Sequence, residues 1–223
     1  MVDDKLLLWL INNARGVILF LFFMLSDNSI VSAHIFEEEY NMIQSQTMKM
    51  EHANTVAFLK SNQYSIDTDL GDYVALTIQD MDDIINWFNK HINGGTPFQG
   101  KGYIFIKASQ ATGLSPIYIF AHACLESGYG NSALAMDKHN YFGIGAWDID
   151  PYNLANTMGN YMEEGIVNGA KWIKTHYYAQ GCTTLRQMKA HGYATDPDWE
   201  HKIVSIANRA INQLKWEDEQ YYA

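Results

Sequence analysis

The run Ser115-Pro-Ile-Tyr-Ile-Phe-Ala-His-Ala-Cys-Leu-Glu-Ser-Gly128 constrains the fold more than any other stretch of the chain. Serine followed by proline is the signature of an N-cap and a first helical residue. Ser127-Gly128 closes the helix they open. Its body, Ile117 to Leu125, is apolar nearly all round and is broken only by Tyr118 and His122. A helix with no polar face has to be covered on every side. Other elements must therefore wrap it, and the sequence has to supply them.

It supplies helices. Met81, Ile84, Ile85, Phe88 and Ile92 recur at steps of three and four, which predicts an amphipathic helix over 79–92 stopped by Gly94 and Gly95. A second helix is predicted over 102–112, with Gly113 as its C-terminal cap. A third spans 161–178, with Met162, Ile166, Ala170, Ile173 and Tyr177 on one face. The last starts at Asp196-Pro197 and turns Trp199, Ile203, Ile206, Ala210 and Leu214 inward. Period-two alternation is scarce. The expected class is mainly α (α+β), with few short strands.

Three stretches are expected: 1–33, 34–76 and 77–223. Residues 77–223 hold the punctuated helical pattern. Residues 34–76 read as a helical extension in which 62–72 is a linker. Residues 1–33 are apolar and signal-like, with Lys5 and Arg15 ahead of Val17–Leu25 and Val31-Ser32-Ala33 after it. The uninterrupted apolar part is too short to cross a bilayer. A cleaved export signal, an uncleaved membrane anchor and a segment buried in a larger assembly such as a virion all fit it. The corresponding expectation is an exported, surface or membrane-associated protein, with virion association as the alternative.

The net charge of -10 argues against nucleic-acid binding, which needs clustered Lys and Arg. Two cysteines, Cys124 and Cys182, are too few for a disulfide framework. They read as structural thiols, with a single disulfide as the alternative. His122 and His139 lack partners at metal-ligand spacing. No metal or cofactor is expected.

Glu126 is the one acid on the apolar helix and falls in its last turn. Burial and the negative end of the helix dipole both disfavour an ionised carboxyl there, which suits a general acid. A structural hydrogen-bonding role fits the position equally well. The glycines of Gly128-Tyr129-Gly130 would let the chain turn sharply and leave a wall with few side chains beside the acid.

The stretch Leu125 to Ala135 closely resembles the catalytic motif of the glucosaminidase family of peptidoglycan hydrolases, glycoside hydrolase family 73. The resemblance continues in order through Asn140-Tyr-Phe-Gly-Ile-Gly-Ala-Trp-Asp148, Asp148-Ile-Asp-Pro151, Ile166 to Ile173, Thr184 to Met188 and Tyr193 to Trp199. It covers about residues 77–215. It implies a compact, lysozyme-like helical fold with a substrate groove. The implied activity is hydrolysis of the β-1,4 bond after N-acetylglucosamine in peptidoglycan glycan strands. Glu126 matches the family's general acid, and Tyr193 matches a tyrosine lining the groove.

Glycosidases usually pair an acid with a second carboxylate. Asp148, which follows the aromatic segment, is ranked first. Asp150 precedes a proline and also suits a turn. Glu163 and Glu164 lie in the first turns of a helix, where the dipole alone favours acids. Assistance by the substrate's 2-acetamido group is the remaining route. Tyr129, Tyr141 and Trp147 are expected to meet sugar faces, with Asn140 and Asp150 beside them and Phe142 inside. A lytic transglycosylase on the same fold is the nearest alternative activity. An inert lysozyme-like virion component is another.

Overall fold

The computed structural model describes residues 29–72, 75–145, 153 and 155–215, with the side chains of 29–36 left aside. The chain forms two compact units, residues 1–51 and 52–223. The described part of the first is helical and belongs to α1 (Ser29–Ser61). Met42, Ile43, Met48 and Met50 are exposed on it. No helix among the described residues is long and apolar enough to cross a membrane. Residues 1–28, which carry most of the signal-like segment, lie outside the described residues.

The second unit contains the end of α1 and then α2 (Ile78–His91), α3 (Gly102–Thr112), α4 (Pro116–Ser127), α5 (Ala133–Lys138), α6 (Met162–His176), a 3-10 turn (Tyr178–Gln180), α7 (Leu185–Ala190) and α8 (Trp199–Ile211). The described residues include no strand, so the fold is helical throughout them.

The apolar helix is the axis of this unit. Every residue of α4 from Pro116 to Cys124 is buried. Its largest side chains, Tyr118 and Phe120, are fully enclosed. Burying one large apolar side chain contributes about 1.5–3 kcal/mol, so this helix alone anchors a large part of the core. α8 packs along it, and α3 lies against both α4 and α6. Phe98, Phe105 and Phe120 meet edge to face at 5.3–6.3 Å, the geometry that aromatic quadrupoles favour.

The helix ends follow the sequence with two exceptions. Gly113 and Gly128 adopt left-handed conformations at the ends of α3 and α4. Thr77 caps α2 in a reciprocal capping box with Asp80. Ser115, however, makes no side-chain cap bond. The entry to α4 is held instead by its backbone N–H, which donates to Leu70 O at 2.7 Å. α8 begins at Trp199 and not at Pro197, because Asp196 Oδ1 accepts the Asp198 N–H at 2.9 Å and closes a local turn first.

Residues 62–72 differ from the expected linker. Leu70 is fully buried, and its N–H donates to Thr183 O. Tyr64 and Asn208 exchange two hydrogen bonds. Arg186 grips Asp67 with two nitrogens, and the Tyr178 hydroxyl donates to Asp69. These bonds belong to the compact unit that runs from His52. Its earliest core residues are Val56 and Leu59.

Candidate active site

α4 comes to the surface only at its end. Leu125 and Glu126 are the part-exposed residues of an otherwise buried helix, and the Glu126 side chain keeps 23% of its exposure. Beyond it, the chain is knotted into a tight turn. Ser127 Oγ donates to Ala123 O and accepts the Gly130 N–H. Tyr129 N–H donates to Cys124 O, and Tyr129 itself takes a positive φ of 59°. The acid thus sits on a rigid stub.

Its two oxygens have different surroundings. Oε1 accepts the indole N–H of Trp199 at 2.6 Å, a short charge-assisted hydrogen bond when the carboxyl is ionised. His122 Nε2, one turn back on α4, lies 3.6 Å from the same oxygen. Oε2 has no hydrogen-bond partner among the described residues and faces the backbone of Gly143. A Cβ on Gly143 would stand 3.3 Å from it, and this glycine has a φ of +66°. Both facts demand glycine: a side chain would be strained in the backbone and would crowd the carboxyl oxygen.

Gly143 is aimed by its own loop. Asn140 is buried, and its amide braces the turn: Oδ1 accepts the Ile144 N–H at 3.0 Å, while Nδ2 donates to Ile144 O and Asn156 O. Tyr193 closes this arrangement by donating its hydroxyl to Phe142 O at 3.0 Å. Its ring lies 4.8 Å from His122 and 5.0 Å from Trp199. Burial pushes the Tyr193 phenol well above its ordinary range, and the neighbouring Glu126 adds to that rise. Tyr193 therefore keeps its proton and its hydrogen bond at any physiological pH.

The structure thus brings Glu126, Tyr193 and the Asn140 loop together. Tyr141 is interior, 1% exposed and packed on Phe98 at 5.6 Å, with burial pushing its phenol up to about 12. It fills the core and does not present a ring to sugars. Asn140 likewise is committed to backbone and not available to a ligand. Phe142 is inside as expected. Tyr129 is half-buried, its ring 5.9 Å from Phe88 and its carbonyl accepting from Thr96. Gly130 serves packing more than a cleft wall, since a Cβ there would meet Pro97 and Phe98 at about 3 Å. Trp147, Asp148 and Asp150 lie outside the described residues.

The alternative acids are occupied. Glu163 pairs with Lys107. Glu164 accepts the Asn160 N–H at 2.8 Å, and that bond holds its carboxyl below the usual range. Among the described residues, no group of three or more His, Cys, Asp or Glu side chains is placed to hold a metal ion. Cys124 and Cys182 are separate, buried thiols.

Three residues at the acid carried no predicted role: Trp199, His122 and Gly143. Trp199 was visible as an inward residue of α8 and as the end of the Tyr193–Trp199 block, with no role assigned to it, and His122 only as a buried polar group on an apolar helix. The isolated glycine between Phe142 and Ile144 was the one usable signal for Gly143.

The glucosaminidase family model, described as mannosyl-glycoprotein endo-β-N-acetylglucosaminidase, matches residues 102–212. A provisionally named endo-β-N-acetylglucosaminidase of Streptococcus pneumoniae is 35% identical over 154 residues, covering 67% of this chain and 23% of that protein. The bifunctional autolysin of Staphylococcus aureus is 34% identical over 142 residues, covering 52% of this chain and 11% of the autolysin. The chain thus spans less than a quarter of the length of these curated relatives. A crystal structure of a catalytic mutant of S. aureus autolysin E, in complex with the disaccharide NAG-NAM, matches 72% of this chain and 82% of its own with a TM-score of 0.56. At 21% identity that likeness shows a shared fold.

Proposed function

The chain belongs to the glucosaminidase family through residues 102–212, and on that premise we propose that it hydrolyses the β-1,4 bond after N-acetylglucosamine in bacterial peptidoglycan. The observation that carries this reading is the Glu126 carboxyl. It is fixed at one oxygen by Trp199 and unbonded at the other, among the described residues, beside Gly143 on the end of a buried helix.

The arrangement suits protonation of a leaving group. Trp199 occupies Oε1 with an N–H, so the proton of the neutral acid belongs on Oε2. That is the oxygen with no hydrogen-bond partner among the described residues. A glycosidic oxygen reaching Oε2 would receive the proton as the C–O bond breaks. The resulting carboxylate is already met by the indole N–H, so no donor has to be recruited as charge develops.

Tyr193 holds the loop that carries Gly143 and borders the same space. Asp148 is our choice for the second carboxylate, because it follows this loop in sequence while Glu163 and Glu164 are tied to other partners. Tyr129, Trp147 and Asp150 complete the expected sugar contacts. The S. aureus autolysin E structures with NAG-NAM and with a muropeptide are consistent with a glycan partner for this chain. Such a substrate places the protein's work at the cell wall, outside the membrane.

Digestion of purified peptidoglycan, followed by reduction and mass spectrometry of the fragments, tests the activity. Fragments ending in reduced N-acetylglucosamine are expected. Anhydro-muramic ends would replace the reading with a lytic transglycosylase.

A further inference from the structure

His122 is fully buried beside the acid, and the reading of Glu126 so far makes no use of it. Its ring is enclosed by aromatic groups: Tyr118, Phe142, Tyr193 and Trp199 all lie within 5.4 Å, centroid to centroid. Nδ1 is 2.9 Å from the Tyr118 hydroxyl. Nε2 is buried without a hydrogen-bond partner, and Glu126 Oε1 stands 3.6 Å from it.

A neutral imidazole carries one N–H, so two arrangements compete. With the proton on Nδ1, His122 donates to the Tyr118 oxygen, and Tyr118 turns its own proton to Met188 Sδ at 3.3 Å. The Nε2 lone pair is then set beside the Oε1 lone pairs, and a buried acceptor stays unsatisfied. With the proton on Nε2, Tyr118 donates to Nδ1 and gives up only the contact with a thioether, a weak acceptor. The buried N–H then faces a carboxyl oxygen. The second arrangement gives up that weak contact and sets a donor, in place of a lone pair, beside the carboxyl oxygen.

Tyr118 is suited to hold it. Its phenol is driven well above its ordinary range, first by burial, so it does not lose the proton it donates. The other titratable groups that Tyr118 and Tyr193 sense are the phenols of Tyr64 and Tyr177, the latter raised by burial, and Glu126. The carboxyl is the one group among these that changes charge during turnover.

We propose that Tyr118 locks His122 with its proton on Nε2, making His122 a positioning residue that joins Trp199 at Oε1 and takes up the charge of Glu126 once the acid has given its proton to the leaving group. At 3.6 Å the contact is longer than a hydrogen bond. It closes when the carboxylate forms. The proposal rests on Glu126 being the catalytic acid, but the tautomer itself does not.

Nitrogen-15 NMR of the histidine-labelled full chain separates the two. The His122 signals, assigned by their loss in His122→Gln, are expected to show a protonated Nε2 and a bare Nδ1. Tyr118→Phe, which keeps the ring and removes the hydroxyl, should shift the population toward Nδ1–H. It should also lower kcat on peptidoglycan by about tenfold with KM unchanged, less than the roughly hundredfold loss of a directly bonded donor. A proton on Nδ1 in the wild type, alone or together with Nε2, overturns the proposal. So does a Tyr118→Phe enzyme with unaltered kcat. A wild type with the expected tautomer but no glycan cleavage would refute the proposed activity and leave the lock standing.

Discussion

The end of α4 and the start of α6 both present a part-exposed glutamate, and their side-chain exposures are nearly equal: 23% for Glu126 and 24% for Glu163. Solvent access does not separate them. Their partners do. Glu163 is neutralised by Lys107, and its neighbour Glu164 accepts from the backbone and side chain of Asn160. Acids at the start of a helix also sit in the favourable end of its dipole. Glu126 sits at the opposite end, pairs with no lysine or arginine among the described residues, and has one oxygen held by a neutral donor while the other has no hydrogen-bond partner among them. The Asn160 bonds hold Glu164 ionised and tied to its turn. On the proposed reading, Glu126 is the acid left to exchange a proton.

The largest effect expected from breaking this contrast is at Glu126. Glu126→Gln keeps the shape and removes the proton, so turnover of peptidoglycan should fall by about 10²–10⁴-fold, with helicity by circular dichroism unchanged. Trp199→Phe comes next. It keeps a ring in the core but strips the donor from Oε1, and kcat should fall by on the order of 100-fold, more than KM changes. Gly143→Ala forces an alanine into left-handed backbone and costs about 1–2 kcal/mol, seen in urea melts. The methyl beside Oε2 should also reduce turnover.

Most of the helical frame was readable before the structure. α3 occupies residues 102–112 and ends at Gly113 as predicted, and α4 ends where Ser127-Gly128 said it would, because both signals are local. The acid was readable too, as a lone carboxyl on an apolar helix. Its supports were not. Trp199 is 73 residues further along the chain, and the block Tyr193 to Trp199 that marks it does not say that its indole bonds a carboxyl. Tyr141 failed in the other direction: an aromatic residue in a glycine-rich stretch suits a sugar platform or a core equally, and Phe98 decided for the core. Residues 62–72 look like a linker because their bonds to Thr183, Arg186 and Asn208 are all long-range.

The smaller predictions sharpen the same contrast. Glu164→Gln should leave kcat within about twofold, since this acid braces a turn; a large loss would move the second catalytic role to α6. Asp67→Asn probes the anchoring of residues 62–72. The Arg186 hydrogen bond holds the Asp67 carboxyl below its ordinary value of 3.8. Its stabilisation is therefore present above that pH and disappears as the pH falls through the lower folded-state value. Both partners are well exposed, so the difference between wild type and Asp67→Asn should be small at neutral pH and vanish in acid.

The claim that Glu126 is the proton donor is tested most directly by changing how much the leaving group needs a proton. Glu126→Gln and wild type would be compared on peptidoglycan and on an N-acetylglucosamine oligosaccharide carrying a dinitrophenolate leaving group. The account predicts a severe loss on the natural glycan and near-normal cleavage of the activated substrate, whose phenolate departs unaided. Equal losses on both substrates, or no loss on the glycan, would contradict it.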